Sequence, residues 1–289
     1  MTQILARRAF LEAVFGLAVL AMSGGRALAD NRKGSSPDMA KDIVMVHGAN
    51  EGGWCFAKFK GVFEGLGFTC HAPDLIGHGS DATAAKTRLV GVGMGDYLAQ
   101  LRTLLKNFNA PPVLLGHSMG GILVQQLAAK GLAKALILVA PAPRSGILPA
   151  TGSEKQLDRD MMSLGAFWNT VINPDFDLAK VLTLNCAPEA VQRIVFDKFG
   201  PESGLAFFQM FFWMFDKTNA TAVDTKRVRC PVLCLVGKDD KMVSSASARA
   251  TASAYPGSTF WQLDDHGHML VLEPGAEDIA RRIASWIPS

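Results

Sequence analysis

Ser118 lies in "GHSMGG", Gly116 to Gly121, where a short apolar run gives way to glycine and then to a second apolar run. A serine hydroxyl is a poor nucleophile until a base takes its proton, and that base must itself be oriented by an acid. Downstream of Ser118 there are only two histidines, His266 and His268, and between them and Ser118 lies "LVGKDDKMV" with Asp239 and Asp240. Serine, acid, histidine is the chain order in which a nucleophile elbow finds its partners, and Gly116-x-Ser118-x-Gly120 has the spacing of that elbow. The glycines are needed because side chains at those positions would collide in so tight a turn. Such a set suits acyl transfer, with the developing oxyanion bound by two backbone N–H groups. One belongs to Met119, after the nucleophile, and the other to the loop after the first strand. Residue type and order alone leave both the choice of acid and the choice of histidine open.

An elbow requires a strand before it and a helix after it. "VLLG" reads as a short buried strand and "GGILVQQLAAKG" as a helix closing at Gly131. Further strands are expected in "DIVMVHG", "FTCHAPDLIGHG", "KALILVAPA", "CPVLCLVG" and, more weakly, "TFWQL". "GDYLAQLRTLLKNF" carries Leu98, Leu101, Leu104 and Leu105 at helical spacing, and "GAEDIARRIASWI" ends the chain as an amphipathic helix. Strands that are continuous apolar runs, alternating with helices, predict a mostly parallel sheet covered on both faces. Residues 142–223 lack strand signals and read as a helical insert, a cap or lid, on a core formed by 42–141 and 224–289.

The chain has 289 residues, and residues 1–29 read as a cleavable signal peptide. Arg7 and Arg8 precede an uncharged apolar run from Ala13 to Gly25, too short to span a bilayer, and Ala27-Leu28-Ala29 forms a small-x-small cleavage site. "ARRAFLEA" resembles the twin-arginine export motif, although Ala6 and Glu12 replace its usual residues. The twin-arginine translocation machinery is then an expected partner, with the general secretory route as the alternative; by either route the location is periplasmic or secreted, and no membrane anchor remains after cleavage. Residues 30–41 read as a linker. Loss of residues 1–29 lowers the formal net charge from +3 to +1, which gives no reason to expect nucleic acid as a partner. The five cysteines, Cys55, Cys70, Cys186, Cys230 and Cys234, show no disulfide framework.

"VHGANEGGWCFAKF", "APDLIGHG", "GHSMGG", "LVGKDD" and "HGHMLVLEP" occur in the order found in the α/β-hydrolases. Over nearly all of the chain after residue 41 the sequence resembles that superfamily. "HGA…GGWC" and "HM…EP" are similar to the subgroup of plant methylesterases, hydroxynitrile lyases and bacterial esterases of like build. The resemblance implies an α/β-hydrolase fold with a helical lid. It maps the acid to Asp240 in Gly237-x-x-Asp240, the base to His268 and the second oxyanion donor to Ala49. It makes His47 a loop-structuring residue; His78 and His117 read the same way, and His266 as a polar loop residue. No metal and no organic cofactor is called for.

The expected reaction is hydrolysis of a small-molecule carboxylic ester through an acyl-enzyme. Aromatics of the insert, Trp168, Phe208, Phe211, Phe212 and Trp213, are expected to line an apolar pocket over Ser118, which points to apolar or aromatic esters. A lactonase, amidase or carbon–carbon hydrolase would use the same triad. Hydroxynitrile lyases of the subgroup carry Thr and Lys where this chain has Gly48 and Met269, which argues for hydrolysis. A non-catalytic ligand receptor remains the reading from a different class, separable by turnover of a generic ester.

Overall fold

The computed structural model describes residues 41–79 and 88–288. The expected signal peptide and all of the linker but Lys41 lie outside the described residues. Six parallel strands form the central sheet: β1 (Asp42–Val46), β2 (Thr69–His71), β3 (Val113–His117), β4 (Ala135–Val139), β7 (Val232–Gly237) and β8 (Thr259–Leu263), ordered β2-β1-β3-β4-β7-β8. β3 is central, with Gly116 registered against Val46 on one side and Leu138 on the other.

The sheet sorts its side chains by the two-residue period of a strand. Ile43, Met45, Leu115, Ile137 and Leu235 point to one face and pack against Phe59 and Phe63 of α1 (Ala57–Gly65) and Ile279 and Ile283 of α9 (Ala276–Trp286). Val44, Leu114, Leu136 and Cys234 point to the other. They meet Tyr97 and Leu101 of α2 (Met94–Leu105), Ile122 and Leu123 of α3 (Met119–Ala128) and Ala248 of α8 (Ser245–Ser253). Every residue of β3, β4 and β7 is buried, which is why these strands read as unbroken apolar runs. Each such aliphatic side chain contributes about 1.5–3 kcal/mol by leaving water. α9 shows the complementary helical pattern: Ala276, Ile279, Ala280 and Ile283 are buried on one stripe, and Glu277 and Asp278 sit in the first turn, where the helix dipole favours acids.

Between β4 and β7 the chain forms α4 (Gly152–Ser163), α5 (Phe176–Leu182), α6 (Glu189–Phe196) and α7 (Gly204–Phe211). It also forms a small antiparallel pair, β5 (Val171–Ile172) with β6 (Glu202–Ser203), so the expectation of a strand-free insert is corrected. Two-residue strands are too short to display the alternation by which a strand is read. All five cysteines are free thiols.

Candidate active site

The four loops of interest leave the carboxyl ends of β1, β3, β7 and β8, the edge at which parallel sheets present their ligand sites. Ser118 follows β3 with φ 49° and ψ −118°, a conformation that costs a non-glycine residue of order 1–3 kcal/mol. The fold holds it there with backbone bonds: Ser118 N–H donates to the Val139 carbonyl at 3.1 Å, and the Ser118 carbonyl accepts from Gly121 and Ala142, both at 2.9 Å. The helix that follows lies so close to β1 that a Cβ on Gly120 would stand 2.2 Å from the Val46 carbonyl oxygen. On Gly116 a Cβ would meet the Gly120 carbonyl oxygen at 2.5 Å.

Asp240, on the loop after β7, and His268, on the loop after β8, are both buried. His268 Nδ1 lies 2.9 Å from Asp240 Oδ2, while Asp240 Oδ1 accepts from the N–H groups of Met242 and Val243, each at 2.8 Å. An ionised carboxylate so bonded requires the proton of His268 on Nδ1, which leaves Nε2 as the basic nitrogen. Of the alternatives left open by residue type, Asp239 is not the partner of His268. His266 instead pairs through Nδ1 with Glu273 Oε2 at 3.0 Å, away from Asp240.

The loop after β1 presses against the nucleophile: a Cβ on Gly48 would lie 2.9 Å from Ser118 Cβ. Ala49 lines a cavity with Ser118, and its N–H makes no hydrogen bond among the described residues. Met119 opens α3, so its N–H has no acceptor one turn back.

Behind these residues runs a buried polar network. Glu51 Oε2 accepts from the Gly48 N–H at 3.0 Å and from His117 Nδ1 at 3.0 Å, and His117 Nε2 donates to the His268 carbonyl at 2.9 Å. Both ring nitrogens of His117 face acceptors, so the ring carries two protons and a charge balanced by Glu51. Burial opposes that charge, but the Glu51 carboxylate outweighs it and holds His117 above its ordinary value. Burial would push Glu51 up, yet His117 and the Gly48 N–H bring it down to about 2. His47 is the opposite case: burial, then the neighbouring His78, lower it to about 4. The neutral ring donates through Nδ1 to the Gly48 carbonyl at 2.8 Å and accepts at Nε2 from the Leu75 N–H at 3.0 Å. His78 pairs with Glu202 at 3.0 Å. The structural roles expected of these histidines thus have named partners. Glu51 itself was not anticipated; its signal is an acid standing in "HGANEGGW", the loop that carries Ala49.

The cavity over Ser118 spans about 790 Å³ including the open space at its mouth and is mostly apolar, with Ile147, Leu157, Phe211, Trp213, Met242 and Val243 among its walls. Of the five aromatics expected over Ser118, Phe211 and Trp213 are among the residues lining the cavity. Trp168, Phe208 and Phe212 do not line it. Phe212 is buried against Phe167 and Met161 inside the insert, and Phe208 packs on Trp168 with ring centroids 5.2 Å apart. A helix turns successive aromatics by about 100°, so consecutive ones cannot share one face. Among the described residues no group of three or more His, Cys, Asp or Glu is placed to hold a metal ion.

A model of the alpha/beta hydrolase family matches residues 43–282. The chain belongs to that family. It is 33% identical over 113 residues to the pyrethroid hydrolase of Sphingobium wenxiniae, a match spanning 38% of this chain and 39% of that protein. It is 41% identical over 81 residues to methylesterase 2 of Arabidopsis thaliana, spanning 28% of this chain and 30% of that protein. Against the pimeloyl-[acyl-carrier protein] methyl ester esterase of Chromobacterium violaceum it is 27% identical over 260 residues, 85% of this chain and 94% of that protein. The matches to the first two thus span well under half of their length.

Proposed function

We propose that this α/β-hydrolase is a serine esterase that cleaves small carboxylic esters with an apolar or aromatic acyl or alcohol group. The observations that carry this reading are a strained Ser118 that opens into an apolar cavity and an Asp240–His268 pair whose loop is tied, through the His268 carbonyl, to His117, the residue before Ser118. The names of the relatives, all hydrolases or esterases, support it.

The steps of the proposed reaction are these. His268 Nε2 takes the proton of Ser118 as Oγ attacks the ester carbonyl. Asp240 holds the imidazole and stabilises its charged form. The N–H groups of Ala49 and Met119 receive the oxyanion. Collapse breaks the bond to the alkoxy group, which leaves as the alcohol with the proton from His268. Water then attacks the acyl-enzyme, giving its proton to His268, and the acid departs as Ser118 regains its hydrogen. The helices between β4 and β7 act as the lid over this cavity, and the protein is exported with residues 1–29 as its signal.

Hydrolysis of p-nitrophenyl esters from acetate to octanoate, by the wild type and by Ser118→Ala, tests the reading. Turnover by the wild type that vanishes in Ser118→Ala, in a protein with unchanged circular dichroism, is expected. Equal rates for the two proteins would overturn it. Replacing Arg7 and Arg8 by lysine is expected to stop export from a bacterial host; unchanged export would refute the twin-arginine route.

A further inference from the structure

The cavity over Ser118 contains one carboxyl group that neither the fold nor the triad uses. Two carboxylates of α4, Glu154 and Asp158, line it one turn apart, and no Lys, Arg or His does. Their situations differ. Glu154 is buried and fully engaged: Oε2 accepts from the N–H groups of Ala150 at 2.7 Å and Thr151 at 3.0 Å, closing the N-terminal capping box of α4. Its Oε1 accepts from the Ser244 N–H at 2.9 Å, tying the insert to the segment just after Asp240. These bonds hold Glu154 below the ordinary carboxylate range despite its burial. Glu154 is therefore a structural anion.

Asp158 is half-buried, and its carboxyl makes no hydrogen bond or ion pair among the described residues. It shares the cavity with Leu157 on its own helix, with Phe211, Met214 and Met242 from other segments, and with the Glu154 carboxylate. Apolar surroundings, and then the charge of Glu154, push the Asp158 carboxyl up to about 6. A half-buried carboxyl loses its water when an apolar substrate covers it, a cost that a donor on the substrate recovers. We propose that Asp158 determines specificity by accepting a hydrogen bond from a donor group, a hydroxyl, on the otherwise apolar portion of the ester, remote from the bond that Ser118 attacks. The inference deepens, and rests on, the serine-esterase reading of the same cavity. It narrows the substrate class from plain apolar esters to apolar esters bearing one hydroxyl.

The discrimination such a group gives is one-sided. An acceptor satisfied by the right substrate is stranded by the analogue that lacks the hydroxyl, so the plain ester is penalised more than the hydroxylated one is favoured. Replacing Asp158 with leucine removes the penalty and strands the hydroxyl instead. The preference then inverts rather than merely fading.

The test compares p-nitrophenyl ω-hydroxyalkanoates with the plain alkanoates of matching length, across chain lengths, in wild type, Asp158→Leu and Asp158→Ala. The ratio of kcat/KM for the hydroxylated to the plain ester is expected to fall about tenfold in either variant at the best-fitting length, mostly through KM. The same ratio in the wild type and both variants overturns the proposal. p-Nitrophenyl butyrate, given to the wild type and to Ser118→Ala alongside, separates this from failure of the esterase reading, because that reading stands or falls on Ser118 alone. If butyrate is not turned over, the same question is put to Ser118→Ala by calorimetry with methyl 6-hydroxyhexanoate and methyl heptanoate. A relative affinity that does not change on adding Asp158→Leu overturns the proposal there too.

Discussion

His117, the residue immediately before Ser118, donates a hydrogen bond from Nε2 to the backbone carbonyl of His268 at 2.9 Å. Its other nitrogen is held by Glu51, whose carboxylate also grips the N–H of Gly48. One buried ion pair thus joins three segments distant in sequence: the loop offering Ala49, the elbow offering Ser118 and the loop offering His268. Conversion of Glu51 to glutamine leaves the charge on His117 unpartnered and is expected to cost about 3 kcal/mol.

The pH dependence of that cost has a definite shape. Glu51 is held at about 2 against an ordinary 4.5, so its contribution is complete above 4.5 and is lost as pH falls through 2. His117 is held above its ordinary 6.5, so its contribution is complete below 6.5 and is lost as pH rises through the raised value. The gap in stability between wild type and Glu51→Gln is therefore widest between 4.5 and 6.5 and narrows on both sides. Urea unfolding at about pH 3, 5.5 and 9 measures it. A gap that does not vary with pH would show that the pair contributes no charge interaction.

Asp240→Asn is expected to lower kcat/KM by about 10³–10⁴ with little loss of fold. The amide oxygen can still accept from Met242 and Val243, but the amide nitrogen then faces Nδ1 and favours the tautomer with its proton on Nε2. Asp239→Asn serves as the internal control and is expected to stay within about threefold of wild type, because no bond joins its side chain to His268. Equal losses in the two variants would remove the assignment of Asp240.

The parts of this site legible in the sequence are those where backbone geometry restricts residue choice. Gly116 and Gly120 frame Ser118 because no Cβ fits there, and the buried strands leave unbroken apolar runs. Asp240 and His268 became separable from Asp239 and His266 only through family resemblance, since neighbours in a loop share composition and differ in direction. The Glu51–His117 pair joins residues far apart in the chain, and no local period marks such a contact. The cavity walls were half legible for a related reason. The aromatic run around α7 announces burial, but which rings face Ser118 depends on how the insert settles on the sheet.

Two glycine-to-alanine changes separate close approach from flexibility. Gly120→Ala drives a Cβ to 2.2 Å from the Val46 carbonyl oxygen, a backbone atom that cannot move aside. It is expected to cost several kcal/mol, about 3 or more, and to abolish activity. Gly95→Ala places the same methyl in open space within α2 and is expected to stabilise by about 0.5–1 kcal/mol with activity unchanged. Thermal unfolding of the pair is the measurement. Equal destabilisation would mean that the approach of α3 to β1 does not govern the elbow.

The aromatics of the insert are expected to divide in the same decisive way. Phe211 and Trp213 form cavity wall, so Phe211→Ala and Trp213→Ala should each raise KM for the longer p-nitrophenyl esters about tenfold while leaving acetate nearly unaffected. Trp168 is 38% exposed and packs on Phe208 outside the cavity, so Trp168→Ala should lower the melting temperature without changing the chain-length profile. Steady-state kinetics across the ester series, with a thermal melt of each variant, reads both effects. A chain-length profile that shifts in Trp168→Ala and not in Phe211→Ala or Trp213→Ala would place the acyl group on the other side of the insert. It would also take Asp158 out of reach of the substrate, because that residue shares its cavity with Phe211 and Trp213.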